Sequence, residues 1–174
     1  MATVERHAVV VVDVANVMGS RPDGWWRDRA GAATRLLATL AALPGRQVHG
    51  PEGGLLRVAR VVAVLEGRSR AAAGAPGVEV VHAPADGDTT IVAEATALVD
   101  GGPRADQRAE PVADQDGEPV ADQGGEPGVA VLVVTADRGL RARLPAAAVP
   151  AGPRWLLDQL DQLDQLDQVD RLDE

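Results

Sequence analysis

The sequence predicts an open, mostly parallel α/β sheet with flanking helices, a Rossmann-like three-layer arrangement. Three observations carry this. Ala8-Val9-Val10-Val11-Val12 is a continuous apolar, largely β-branched run, which suits a strand buried on both faces better than an alternating edge strand. Runs of that kind alternate along the chain with segments whose Ala and Leu recur at helical spacing. Short clusters of Gly, Pro and Asp separate the two, as right-handed crossover connections require.

Taken in order, the first strand ends at Asp13 and belongs at the centre of the sheet. Gly19 to Gly24 is turn-forming, and Trp25 to Leu43 reads as the first helix, stopped by Pro44-Gly45. Gly45 to Gly54 reads as a loop. Leu56 to Leu65 is the second strand, with Glu66-Gly67 just past its end, and Val78 to His82, between Gly77 and Pro84, is the third. Asp86-Gly87-Asp88-Thr89-Thr90 supplies capping residues for a helix over Ile91 to Val99, with Ile91, Ala95 and Leu98 on one face. Val129 to Thr135 is a fourth buried strand, Ala136 to Leu144 a short helix, and Val149 the start of a last short strand. From Trp155 the chain reads as helical.

Two segments stand outside this pattern. Glu-Pro-Val-Ala-Asp-Gln at 110–115 returns at 118–123, an eight-residue tandem repeat rich in Pro, Gly and acid. It has no bulky apolar residue to bury, so a disordered acidic insertion is expected over 101–128. Near the end, Leu-Asp-Gln recurs at 157, 160, 163 and 166. A period of three drifts around a helix of about 3.6 residues per turn, which predicts a slanting Leu stripe on an exposed helical tail rather than a coiled-coil seam. The expected division is therefore one domain over 1–156 and a repeat tail over 157–174.

Composition removes several functional classes. There is no Cys, which excludes thiolate metal sites, disulfides and a Cys nucleophile. The N-terminus has no signal-like segment, and no apolar run reaches membrane-spanning length, so a cytoplasmic protein without a membrane partner is expected. All 17 basic residues are Arg. The net charge of -9 argues against an anionic partner only until it is apportioned. Residues 110–128 and 158–174 each carry -6, which leaves +3 on the rest and keeps a nucleic-acid substrate open.

Three acids fall where an open α/β sheet binds its ligands, beyond the carboxyl ends of the strands. Asp13 ends the first strand, Asp137 follows the fourth, and Asp88 opens the helix after the third; Glu66, past the second, is a fourth candidate. Clustered carboxylates raise one another's pKa unless a cation neutralises them. Mg²⁺ or Mn²⁺ suits such hard oxygen ligands and can activate water against a phosphodiester.

Around these acids the sequence resembles the PIN-like and NYN domain family. Val12-Asp13-Val14-Ala15-Asn16-Val17 is similar to its first-strand motif, hydrophobic-Asp-x-x-Asn-hydrophobic. Gly87-Asp88-Thr89-Thr90-Ile91-Val92 resembles the middle motif, and Val133-Val134-Thr135-Ala136-Asp137-Arg138-Gly139-Leu140 the late Thr-x-Asp motif. The resemblance runs in family order over residues 8–144. It implies a PIN-like fold and a metal-dependent ribonuclease, with Asp13, Asp88 and Asp137 as catalytic metal ligands, Glu66 as a further ligand, and Asn16 orienting Asp13 or contacting a phosphate. Arg138 and Arg141 are then candidates for binding RNA, and a homodimer remains open. Two departures bear on activity: Arg138-Gly139 stands where the late motif often has a second acid, and the repeats precede the fourth strand.

Each feature also has a plainer meaning. An Asp after a strand is commonly a helix cap, Asn16 an ordinary turn residue, and Glu66-Gly67 a polar turn. Asp86 reads as a cap rather than a ligand. Trp25 and Trp26, beside Arg27 and Arg29, read either as core anchors or as a base-stacking platform. Two alternatives to the ribonuclease follow: a nucleotide phosphohydrolase using the same metal site, and a catalytically inactive module that binds RNA or protein. The Asp-x-Asp phosphatase motif is absent because position 15 is Ala, and no phosphate-binding P-loop is present.

Overall fold

The computed structural model describes residues 6–101 and 128–172, with the side chain of residue 172 excepted. Most of the expected acidic insertion, including both full repeats, lies outside the described residues. The elements are β1 (Arg6–Asp13), α1 (Val14–Gly19), α2 (Arg29–Leu40), β2 (Gln47–His49), β3 (Leu55–Leu65), β4 (Val78–His82), α3 (Gly87–Gly101), β5 (Ala130–Val134), α4 (Arg138–Arg143), β6 (Ala148–Ala151) and α5 (Pro153–Leu172).

Among the described residues six strands form one sheet in the order β2-β3-β1-β5-β6, with β4 also paired to β3. Every pairing is parallel except that of β2, which runs antiparallel to the start of β3 while β4 takes its end. The parallel strands therefore lie in the order β4-β3-β1-β5-β6. The chain leaves β1 to build one side of the sheet and returns to build the other, so the topological switch falls between β1 and β5, where such folds open a ligand crevice.

β1 shows why its run of branched residues is unbroken. Ala8, Val10 and Val12 face one layer with α1, α2 and α5, while Val9 and Val11 face the other with α3 and α4. All five are nearly inaccessible to solvent. Burying a side chain of this size contributes roughly 1.5–3 kcal/mol, and a polar residue at any of the five positions would forfeit it.

Several boundaries differ from the sequence reading, each for a local reason. The segment expected as one helix from Trp25 splits into a 3₁₀ turn over Trp25–Arg27 and α2. Asp28 makes the break: its carboxylate accepts the Gly31 N–H at 2.9 Å and starts α2 afresh. The loop expected over 45–54 contains β2, too short for periodicity to reveal. A short α1 follows β1 directly, capped by Asp13.

The exposed tail expected from residue 157 is corrected for its first half. Leu156, Leu160 and Leu163 are buried in the main core, and Gln159 is buried with them. The Gln159 side-chain oxygen accepts the His49 backbone N–H at 2.9 Å, the Trp155 indole N–H donates to the His49 backbone carbonyl at 2.8 Å, and Arg46 pairs with Asp167 at 2.8 Å. These bonds seat α5 beside the β2 edge. Each three-residue step turns the stripe by about 60° relative to the helix surface. Leu160 and Leu163 straddle the buried direction, Leu157 lies half out, and Leu166 and Val169 are each 57% exposed.

Candidate metal centre

Strand register brings the acids together. Val12 of β1 pairs with Val134 of β5 on one side and Ala63 of β3 on the other, so Asp13, Thr135 and Glu66 all emerge at one end of the sheet. α3 begins just after β4 and delivers Asp88 to the same end. Asp13, Asn16, Glu66, Asp88 and Asp137 line one open cleft of about 470 Å³.

Asp13 is 8% exposed. Its Oδ1 accepts the Asn16 backbone N–H at 3.2 Å and its Oδ2 accepts the Thr135 hydroxyl at 3.0 Å. Burial pushes its carboxyl up to about 6; these two bonds pull it down, and the charges of Glu66 and Asp88 push it up further. Asp88 is also raised, first by desolvation and then by Asp137, with Asp86 and Glu66 adding and Arg143 opposing. The four acids thus repel across the cleft.

Thr135 is a buried residue to which the sequence reading gave no role of its own. Its hydroxyl donates to Asp13 and accepts the Asp137 N–H at 3.1 Å, joining two of the acids through one oxygen. The signal was in plain view, as the first residue of the Thr-x-Asp motif. Asn16 meets Asp13 through its backbone, not through its side chain. Its side-chain oxygen accepts the Ala136 N–H at 2.9 Å and fastens α1 to the loop that carries Asp137.

The remaining acids double as local structural groups. The Asp137 Oδ1 accepts the Leu140 N–H at 2.9 Å and caps α4. The Glu66 Oε2 accepts the Gly87 N–H at 2.7 Å, tying the end of β3 to the start of α3. A Cβ on Gly87 would stand 2.7 Å from that oxygen, so glycine permits the approach. Asp86, not Asp88, is the cap of α3: its carboxylate accepts the Thr89 N–H at 2.7 Å, which leaves Asp88 on the cleft.

The basic candidates separate. Arg141 has a partner within the fold: its Nε and a terminal nitrogen both donate to the Thr135 carbonyl, at 2.9 and 2.6 Å. Arg138 is exposed on α4 and is not among the residues that line the cleft. Arg143 comes nearest the acids, 4.0 Å from Asp88 Oδ2, with a hydrogen bond to the Thr89 hydroxyl.

Among the described residues no three Asp, Glu or His side chains, as placed, form a closed set of ligands around one point. The donor chemistry nevertheless suits a hard divalent cation. Mg²⁺ is commonly held by one or two carboxylates with water completing its octahedron, and each acid here retains oxygen lone pairs beyond those its hydrogen bonds use.

A comparison with solved structures finds a similar fold in a crystal structure of a mutant of Rae1 (YacP) from Bacillus subtilis. The two chains superpose with a TM-score of 0.60 at 16% sequence identity, over 95% of this chain and 80% of that one. The likeness establishes a fold-level relationship. No protein-family model matches the sequence, and no curated protein matches it either. Among the described residues no helix is long and apolar enough to cross a membrane.

Proposed function

We propose that the chain is a divalent-metal-dependent ribonuclease that hydrolyses RNA phosphodiester bonds at this cleft. The observation that carries the reading is the meeting of Asp13, Glu66, Asp88 and Asp137, from four separate segments, on one open cleft at the topological switch. Burial, and then the neighbouring acids, raise the carboxyls of Asp13 and Asp88, and such perturbed groups in a cleft are a common mark of a functional site. The PIN-like and NYN motifs carry the choice of RNA over other phosphodiesters.

Asp13 and Asp137 are the first ligands in this reading, held by Thr135 between them, with Asp88 and Glu66 completing the set. A bound Mg²⁺ or Mn²⁺ supplies charge neutralisation for the phosphate and activation of water. Thr135, Asn16 and the Asp137 cap keep the carboxylates oriented, and Arg143 stands on the rim where a phosphate oxygen would arrive.

The test is cleavage of assorted single-stranded RNAs by the purified protein with Mg²⁺ or Mn²⁺, against Asp13→Asn and Asp137→Asn. Metal-dependent cleavage lost in both variants supports the proposal. Cleavage indifferent to both substitutions removes it. Phosphate or pyrophosphate release from nucleotides, with RNA left intact, favours the phosphohydrolase. The capping roles of Asp13 and Asp137 favour a second reading, an inactive RNA-binding module, which predicts binding unaffected by chelator and by Asp88→Asn.

A further inference from the structure

The acidic cleft continues into a second, more enclosed pocket of about 270 Å³, and the two share Ala15 and Glu66 on their linings. Met18, Trp25 and Ala85 give this pocket apolar surface, and Arg29 and Asp86 give it polar groups. Gly67, also on its lining, belongs in turn to a shallow recess formed with Arg68, Arg70 and His82. Acids, an aromatic pocket and a basic recess therefore follow one another along a single path across the molecule.

The aromatic pocket is rigidly built. Asp23 accepts the Trp25 N–H at 3.2 Å, and Asp28 caps the helix that carries Arg29. The Arg29 guanidinium sits over the Trp25 ring at 5.3 Å, and Trp26, 55% exposed, stands edge-on to Trp25 with centroids 6.2 Å apart. Trp25 packs its inner side on the core, so it is both an anchor and a lining residue. Arg29 thus presents its guanidinium over the Trp25 ring beside a pocket that adjoins the carboxylate cleft.

The geometry points to a nucleobase subsite: the Trp25–Arg29 pocket takes one unpaired base of an RNA strand whose neighbouring phosphate lies at the acids, while the following phosphate meets Arg68 and Arg70. This rests on the ribonuclease reading for its substrate and specifies single-stranded RNA. Stacking on a Trp face or a guanidinium plane requires a base freed from its duplex neighbours, and such stacking tolerates any base identity. A rigid duplex cannot lower one base into a pocket beside its own backbone without unpairing it.

The test measures binding apart from cleavage. A labelled single-stranded oligoribonucleotide is titrated by fluorescence anisotropy into the full chain carrying Asp13→Asn, in chelator, where turnover is blocked and one repelling charge is gone. On that background Trp25→Ala is expected to weaken binding by roughly tenfold, in line with the loss of one stacked base. Trp25→Phe is expected to stay within about threefold, because it keeps a stacking face and the core contact. Arg29→Ala, an exposed change that leaves the fold alone, is expected to weaken binding about fivefold and to flatten its salt dependence. Equal affinity in Arg29→Ala and the parent, or tighter binding of an RNA duplex than of the single strand, overturns the subsite. Trp25-dependent binding in a protein that cleaves nothing keeps the subsite and removes the ribonuclease. Metal-dependent cleavage with KM unchanged in Arg29→Ala and Trp25→Ala does the reverse.

Discussion

The Thr135 hydroxyl donates to Asp13 Oδ2 across 3.0 Å, and both residues are buried at the junction of β1 and β5. The same oxygen accepts the Asp137 N–H, so one hydroxyl spaces two of the acids. Removing it touches both at once.

Thr135→Val keeps the shape of the side chain and deletes the hydroxyl. It leaves the Asp137 N–H and one Asp13 oxygen without their partner, and a loss of about 1–3 kcal/mol in stability to urea is expected. Thr135→Ser, which retains the oxygen, is expected to recover most of it. If Val and Thr were equally stable, the hydroxyl would be no more than an incidental neighbour of the two acids.

Asp13 imposes a pH dependence whose sign is opposite to that of a salt-bridged carboxylate. Its folded pKa, about 6, lies above the ordinary value of 3.8. Between those values the folded state holds a proton that the unfolded state has released, so stability falls as pH rises through that window. Metal-free Asp13→Asn is therefore expected to be more stable than wild type at pH 7, by roughly 1–2 kcal/mol after the loss of one acceptor oxygen. The advantage should vanish below pH 4. Denaturation midpoints in chelator from pH 4 to pH 8 measure it, and a wild type that is the more stable at pH 7 contradicts it.

Along α5 the Leu residues should divide by phase. Leu160→Ala and Leu163→Ala are expected to cost about 2–4 kcal/mol each, whereas Leu166→Ala should fall within about 0.5 kcal/mol of wild type. Gln159→Ala, which orphans the His49 N–H, is expected to cost about 1–2 kcal/mol. Chemical denaturation of the full chain separates these values, and a uniform response along the helix would contradict the geometry.

What the sequence made legible follows from which forces act locally. The Val run of β1 states its own burial, and Asp13 and Asp137 advertise themselves by standing where such a run ends. The helix expected from Ile91 begins at Gly87, and that earlier start is what makes Asp86 the cap and leaves Asp88 on the cleft. Long-range partners were not readable. Even Arg141, only six residues from Thr135, meets its carbonyl through the turn from β5 into α4, which no local propensity announces. Gln159 looked like one member of a solvated repeat because nothing near it in sequence reveals His49 as its partner. β2 escaped notice because three residues are too few to show a period, and it exists only by pairing with β3.

The rotating stripe of α5 has a consequence for how this chain tolerates length change. Repeats of nine nucleotides are prone to gain or lose whole units during copying. The four units over 157–168 are identical, so a unit gained anywhere among them yields the same sequence, with one more Leu-Asp-Gln before the Val-Asp-Arg that ends the array. Leu160, Leu163 and Gln159 keep their identities and their partners, and the added residues fall where Leu166 and Val169 already face solvent. Growth of the array therefore lengthens only the exposed end of the helix and leaves its packed turns unchanged.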